Sequence, residues 1–203
     1  MRAIQRLLYC VVLLSTVTLV SAQQSVYLAT DLGLNVASDV DTSVPATGGG
    51  SFSGTTEFDP GFRLGAAIGS RFGPWLAIEL ESGFLYNPIS RTQSWIGNLP
   101  LLGNIVLRYE NESGWIPYIG GGAGGSLLLV TIEEDGVEED DSDLAIAWQG
   151  FAGIRYKVSE RFAIGIGYKY LQTTETKFTI RNSEVDLEET QNHSFGVTFT
   201  WDF

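Results

Sequence analysis

The chain has 203 residues, with 24 Asp and Glu against 12 Lys and Arg, a formal net charge of −12 and one cysteine. That acidity excludes a general nucleic-acid binder, because affinity for phosphates comes from Lys and Arg. A lone cysteine excludes a disulfide framework.

The first residues read as a secretory signal peptide. Arg2 and Arg6 precede an apolar run from Leu7 to Val20, and Val20-Ser21-Ala22 supplies small residues for cleavage after Ala22. The run is short of the ~20 residues a membrane span needs. Cys10 lies inside it, before any position suited to lipidation. Residues 1–22 are therefore set apart from a single domain over 23–203, which carries 10 basic and 24 acidic residues, a net charge of −14, and no cysteine. No other apolar run is long enough for a transmembrane helix, so a membrane-spanning form of this chain must be a barrel.

Eight segments with a period of two follow. Val26 to Val36 sets Leu28, Leu32 and Leu34 against Tyr27, Asp31, Gly33 and Asn35. A polar connection with Pro45 and Gly48-Gly49-Gly50 reads as a flexible loop. The second segment opposes Phe62, Leu64 and Ile68 to Arg63, Gly65 and Gly69, and Gly73-Pro74 turns tightly into the third, where Ile78 and Leu80 oppose Glu79 and Glu81. The fourth, Leu99 to Tyr109, has Asn104 and Arg108 on its polar face and starts weakly at Pro100, which cannot donate to a ladder. The fifth, Trp115 to Ile132, is blurred by its glycines. An acidic loop from Glu133 to Asp143 leads to the sixth, where Leu144, Trp148 and Tyr156 oppose Gln149, Gly153 and Arg155. Ser159-Glu160 turns into the seventh, with Phe162, Ile164 and Tyr168 against Gly165, Gly167 and Lys169. A polar connection over about Thr173 to Glu189 precedes Asn192–Phe203, whose face of Phe195, Val197, Phe199 and Trp201 opposes Ser194, Gly196, Thr198 and Thr200.

Connections alternate short and long, the rhythm of an up-and-down meander. The smaller face is crowded with Gly65, Gly69, Gly83, Gly153, Gly165, Gly167 and Gly196. Glycine on a wet strand face only weakens it, whereas inside a narrow barrel it leaves room for a few large side chains. The small face therefore points inward and the large apolar face meets lipid. Outward aromatics near segment ends suit interfacial girdles. The expected fold is all-β: an eight-stranded antiparallel up-and-down transmembrane β-barrel preceded by a cleaved signal peptide, its last strand pairing with the first.

Several stretches carry a likeness: Pro117-Tyr118-Ile119-Gly120-Gly121-Gly122, Phe151-Ala152-Gly153-Ile154-Arg155-Tyr156, Ser159-Glu160-Arg161-Phe162 with Gly167-Tyr168-Lys169-Tyr170, and terminal Phe203. With the signal peptide, they make the chain resemble the eight-stranded outer-membrane barrel family of the OmpA transmembrane domain and the opacity-type surface proteins. The resemblance covers the barrel domain only. It implies a place in the outer membrane of a Gram-negative-type bacterium. It also implies that the strand ending at Phe203 is read by the barrel assembly machinery.

The inward charges Asp31, Arg63, Glu79, Glu81, Arg108, Arg155 and Lys169 form the candidate site, with Arg71 and Lys157 nearer the short-turn rim. Unpaired charges in a narrow lumen are costly, so a plugging salt-bridge network is expected. In projection Glu79 and Glu81 face Arg63, Arg108 and Arg155. The acidic loop (Glu133, Glu134, Asp135, Glu138, Glu139, Asp140, Asp141, Asp143) is a weak metal candidate, since its spacing does not fit an EF-hand. His193 and Ser194 are adjacent in a strand, so they point to opposite faces and make a poor base–nucleophile pair. The expected role is structural or surface interaction, with a small passive porin as the alternative and a lipid-modifying enzyme as a distant one. No cofactor and no catalytic residue are expected. Expected partners are outer-membrane lipid and lipopolysaccharide and the assembly machinery, with no nucleic acid, for a monomer.

Overall fold

A computed structural model describes residues 25–45, 51–134, 137–180 and 183–203. The expected signal peptide lies outside them. Among the described residues there are twelve strands: β1 (Val26–Ala37), β2 (Val40–Pro45), β3 (Ser51–Thr56), β4 (Gly61–Phe72), β5 (Leu76–Pro88), β6 (Trp95–Arg108), β7 (Trp115–Glu134), β8 (Val137–Ser159), β9 (Phe162–Thr173), β10 (Thr176–Ile180), β11 (Ser183–Leu187) and β12 (Gln191–Asp202). Eight of them close into an antiparallel barrel in the order β1-β12-β9-β8-β7-β6-β5-β4, and β4 returns to β1. The last strand pairs with the first through Leu28↔Trp201, Leu32↔Val197 and Val36↔His193.

Alternation sorts the side chains as their sizes require. Leu32, Leu64, Ile105, Ile119 and Ile166 point outward and are 48–64% exposed. A continuous apolar belt of this kind is stable only in lipid. Aromatic clusters border it. Phe62, Tyr86 and Trp95 gather toward the long-loop end, with ring centroids 5.4–5.5 Å apart, and Phe162 meets Trp201 at 5.4 Å near the short-turn end. Pro100 lies in the middle of β6 and not at its start. The β5–β6 ladder skips from Ser82↔Leu101 to Leu85↔Asn98 around it, as a residue without an N–H demands.

The long connections differ from expectation. The first, read as a flexible loop, holds β2 and β3; the fourth, read as a polar connection, holds β10 and β11. Together they form a second sheet, ordered β10-β11-β2-β3. Its core gathers Val40, Phe178 and Leu187 with Ile96, Leu128, Val130 and Ala145 from the barrel strands. These apolar residues are single and far apart in sequence, so no local period marks them. The acidic stretch is likewise no loop: β7 and β8 continue through it as paired arms, with Glu133 opposite Glu138.

At the seam Gly33 lies opposite Gly196. A Cβ on Gly33 would collide with the Phe195 carbonyl and sit 2.8 Å from the Gly196 Cα, and backbone cannot step aside as a side chain can. Gly33→Val is expected to lower stability by about 1–3 kcal/mol through overpacking. Urea unfolding in lipid vesicles measures the loss, and an unchanged midpoint would refute the close approach.

Candidate functional site in the barrel lumen

The centre of the lumen is a ring of opposed charges. Asp31 on β1 and Glu81 on β5 are bridged by two cations, Arg63 on β4 and Lys169 on β9. Arg63 donates from Nε to Asp31 at 3.0 Å and from Nη2 to Glu81 at 2.5 Å. Lys169 reaches Asp31 at 2.7 Å and Glu81 at 2.5 Å. The guanidinium's fixed fork spans two carboxylates, which a single point charge does less well. The second Glu81 oxygen accepts from Asn104 on β6 at 2.7 Å and from Gln149 on β8 at 2.8 Å. Six of the eight walls thus contribute to one knot, in which Arg63 and Glu81 are each 1% exposed. The cavity beside it, lined by Asp31, Arg63, Lys169, Ser194 and Thr198, measures about 10 Å³, room for one water at most.

Other layers lie above and below. Toward the long-loop end Leu85, Leu102, Ala147 and Leu171 form an apolar tier. Beside it Asn35 donates to Asn87 and Asn192 and accepts from Ser194. Toward the short-turn end Tyr27, Tyr118 and Phe151 pack together, and Tyr27 donates to Glu79 at 2.6 Å. Gly153 and Gly167 leave the space that Tyr118 fills. Below them the Arg155 guanidinium lies over the Tyr118 ring at 4.1 Å, and Arg71 lies over Tyr27 while pairing with Asp202. Arg108 pairs with Glu110 at 2.7 Å.

Of the seven residues expected to form one network, four meet: Asp31, Arg63, Glu81 and Lys169. Glu79 is taken by a tyrosine, and Arg108 and Arg155 stand one tier away at the mouth with Arg71 and Lys157. A flat projection ignores the tilt and shear of barrel strands, which stagger residues that look level in sequence. Asn104, Gln149 and Tyr27, legible only as polar or large residues on the inward face, complete the lumen together with Tyr118, which lies in the segment that glycines blur.

The acidic candidates are spread along the β7 and β8 arms. Asp135 lies outside the described residues, and of Glu134 and Glu138 only the backbone is described. Asp140 accepts from Thr131, Asp141 from the Ser142 N–H, and Asp143 from the Leu144 and Lys177 N–H groups. The Glu133 N–H donates to Ser94, and Glu139 stands opposite Ile132. Among the described residues no group of three or more His, Cys, Asp or Glu is arranged to hold a metal; alternation turns neighbouring carboxylates to opposite faces. His193 faces outward, its Nδ1 2.8 Å from the Tyr168 hydroxyl, while Ser194 faces the lumen and donates to Asn35.

A family model described as outer membrane protein beta-barrel domain matches residues 8–203. Among solved structures, Neisserial surface protein A is similar with a TM-score of 0.61 at 17% identity, over 90% of this chain and 100% of its own. OprG from Pseudomonas aeruginosa gives 0.57 at 14%, over 87% and 95%. The outer membrane protease OmpT from Escherichia coli gives 0.54 at 9%, over 93% and 100%. At such identities the likeness is one of fold alone. No curated protein matches at the level of sequence.

Proposed function

Because the chain belongs to the outer membrane protein β-barrel domain family, and so resides in the outer membrane of a Gram-negative bacterium, we propose that it acts as a closed, non-catalytic barrel presenting a folded cap at the cell surface. Short turns face the periplasm and long connections the exterior in such barrels, which puts the β2, β3, β10 and β11 sheet outside the cell. The observation that carries the closed lumen is the Asp31–Arg63–Glu81–Lys169 knot, buried and tied to Asn104 and Gln149. Its four charges balance, and the apolar tier above them repels ions. The non-catalytic reading rests on His193 and Ser194 lying on opposite sides of the wall.

Lipid and lipopolysaccharide would surround the apolar belt, and the assembly machinery would read the strand ending at Phe203. A monomer satisfies the barrel's edges, since every wall strand already has two neighbours. In planar bilayers the purified protein is expected to pass little current while still shifting on a gel when boiled. A large, steady conductance from the folded form would overturn the closed lumen in favour of a passive porin.

A further inference from the structure

Four cations crowd the periplasmic mouth of this acidic protein. Arg71, Arg108, Arg155 and Lys157 line one cavity of about 20 Å³ together with Glu110 and Asp202. Both carboxylates are engaged: Asp202 by Arg71, and Glu110 by Arg108 and by Lys157 at 3.4 Å. Glu79, the next carboxylate inward, holds the Tyr27 hydroxyl. Arg155 is left over. It is 8% exposed, has no ion pair among the described residues, and its Nε has no hydrogen-bond partner. Stacking on Tyr118 fixes the guanidinium plane without using its N–H groups as donors.

A buried guanidinium without a counter-charge is unfavourable, and its fork matches a tetrahedral oxyanion in bidentate geometry. Even with Glu79 counted, four cations meet three carboxylates, one negative charge short of balance. We infer that the periplasmic mouth is a binding site for a phosphate-class oxyanion, with Arg155 as its principal donor and Arg71, Arg108 and Lys157 supplying the field. The enclosed space holds little more than one water, so the oxyanion sits across its opening, beside exposed Lys157 and half-exposed Glu110, with its oxygens turned inward to Arg155. The anion is either free phosphate or the phosphate of an inner-leaflet lipid headgroup.

The test uses the intact barrel in an uncharged maltoside detergent, titrated with sodium phosphate at constant ionic strength in a calorimeter. Saturable one-to-one binding is expected. Arg155→Gln should weaken it at least tenfold, and Arg155→Lys, which keeps the charge but not the fork, several-fold. Glu110→Gln should tighten it by freeing Arg108 and Lys157 from a competing carboxylate. A gel shift on boiling establishes that each variant is folded. Repeating the titration in phosphatidylglycerol nanodiscs separates the sources: heat that persists assigns the site to free phosphate, and heat suppressed by the lipid assigns it to the headgroup. No saturable heat in detergent, or equal affinity in the folded Arg155 variants, would overturn the site.

Discussion

Arg63→Met is expected to lower the unfolding free energy of the barrel by about 3–5 kcal/mol, the cost of leaving a buried ion pair half made. Arg63 is 1% exposed and is shared by Asp31 and Glu81; without it Lys169 is the one cation left for both carboxylates among the described ion pairs. Methionine retains much of the volume, so the loss reports charge and not a cavity. Adding Glu81→Gln restores a balanced Asp31–Lys169 pair and should recover more than half of the deficit, a coupling that a double-mutant cycle isolates. Equilibrium urea unfolding in lipid vesicles, followed by tryptophan fluorescence, gives the values. A single-variant loss below about 1 kcal/mol, in the range of exposed pairs, would mean that the knot is solvated and the lumen wet.

Phe178→Ala should detach the cap without opening the barrel. Phe178 is 2% exposed and belongs to the core that joins the second sheet to Ile96, Leu128, Val130 and Ala145. Truncating a buried phenylalanine costs about 3–5 kcal/mol. Two-stranded hairpins have little stability of their own in water, so beyond this core the cap has only the short pairing of β2 with β11 to hold it. Proteases added outside liposomes should then cut within 38–60 and 174–190 orders of magnitude faster than in the native protein, because cleavage follows the population of the opened form. The boiling shift should not change, since no barrel ladder includes Phe178. Native-like resistance in the variant would show that something other than this core holds the cap.

The contrast between barrel and cap explains what could be read in advance. Apart from glycine-rich β7, each wall strand repeats its instruction many times, as with Leu28, Leu32 and Leu34 against Tyr27, Ala29 and Asn35 on β1. The cap has no such redundancy. Its strands mix Ser, Thr and charged residues with one or two large apolar residues each, and Val40 finds Phe178 only after the barrel has brought distant connections together. The charge ring was legible in membership but not in pairing. Parity along a strand is local, whereas the partner across the lumen depends on shear, which no single strand encodes. Register between neighbours was hidden too: Arg155 is marked as inward by sequence, Tyr118 lies in the segment that glycines blur, and they stack because β7 and β8 pair Tyr118 with Gly153, two residues from Arg155.

One pairing has a consequence in time. β2 follows the first wall strand and β11 precedes the last, and they meet through Ser43↔Asp186 and Thr42↔Leu187. At the opposite end the same seam is fastened by Arg71 with Asp202 and by the Phe203 N–H donating to the Val26 carbonyl. The two halves of the cap are therefore carried next to the two strands that do not meet until the chain closes on itself. Contacts so distant in sequence form late. The cap is thus the final entry in the order of assembly. A chain halted before closure would display two loose hairpins, and the appearance of the joined sheet marks the moment the cylinder is complete.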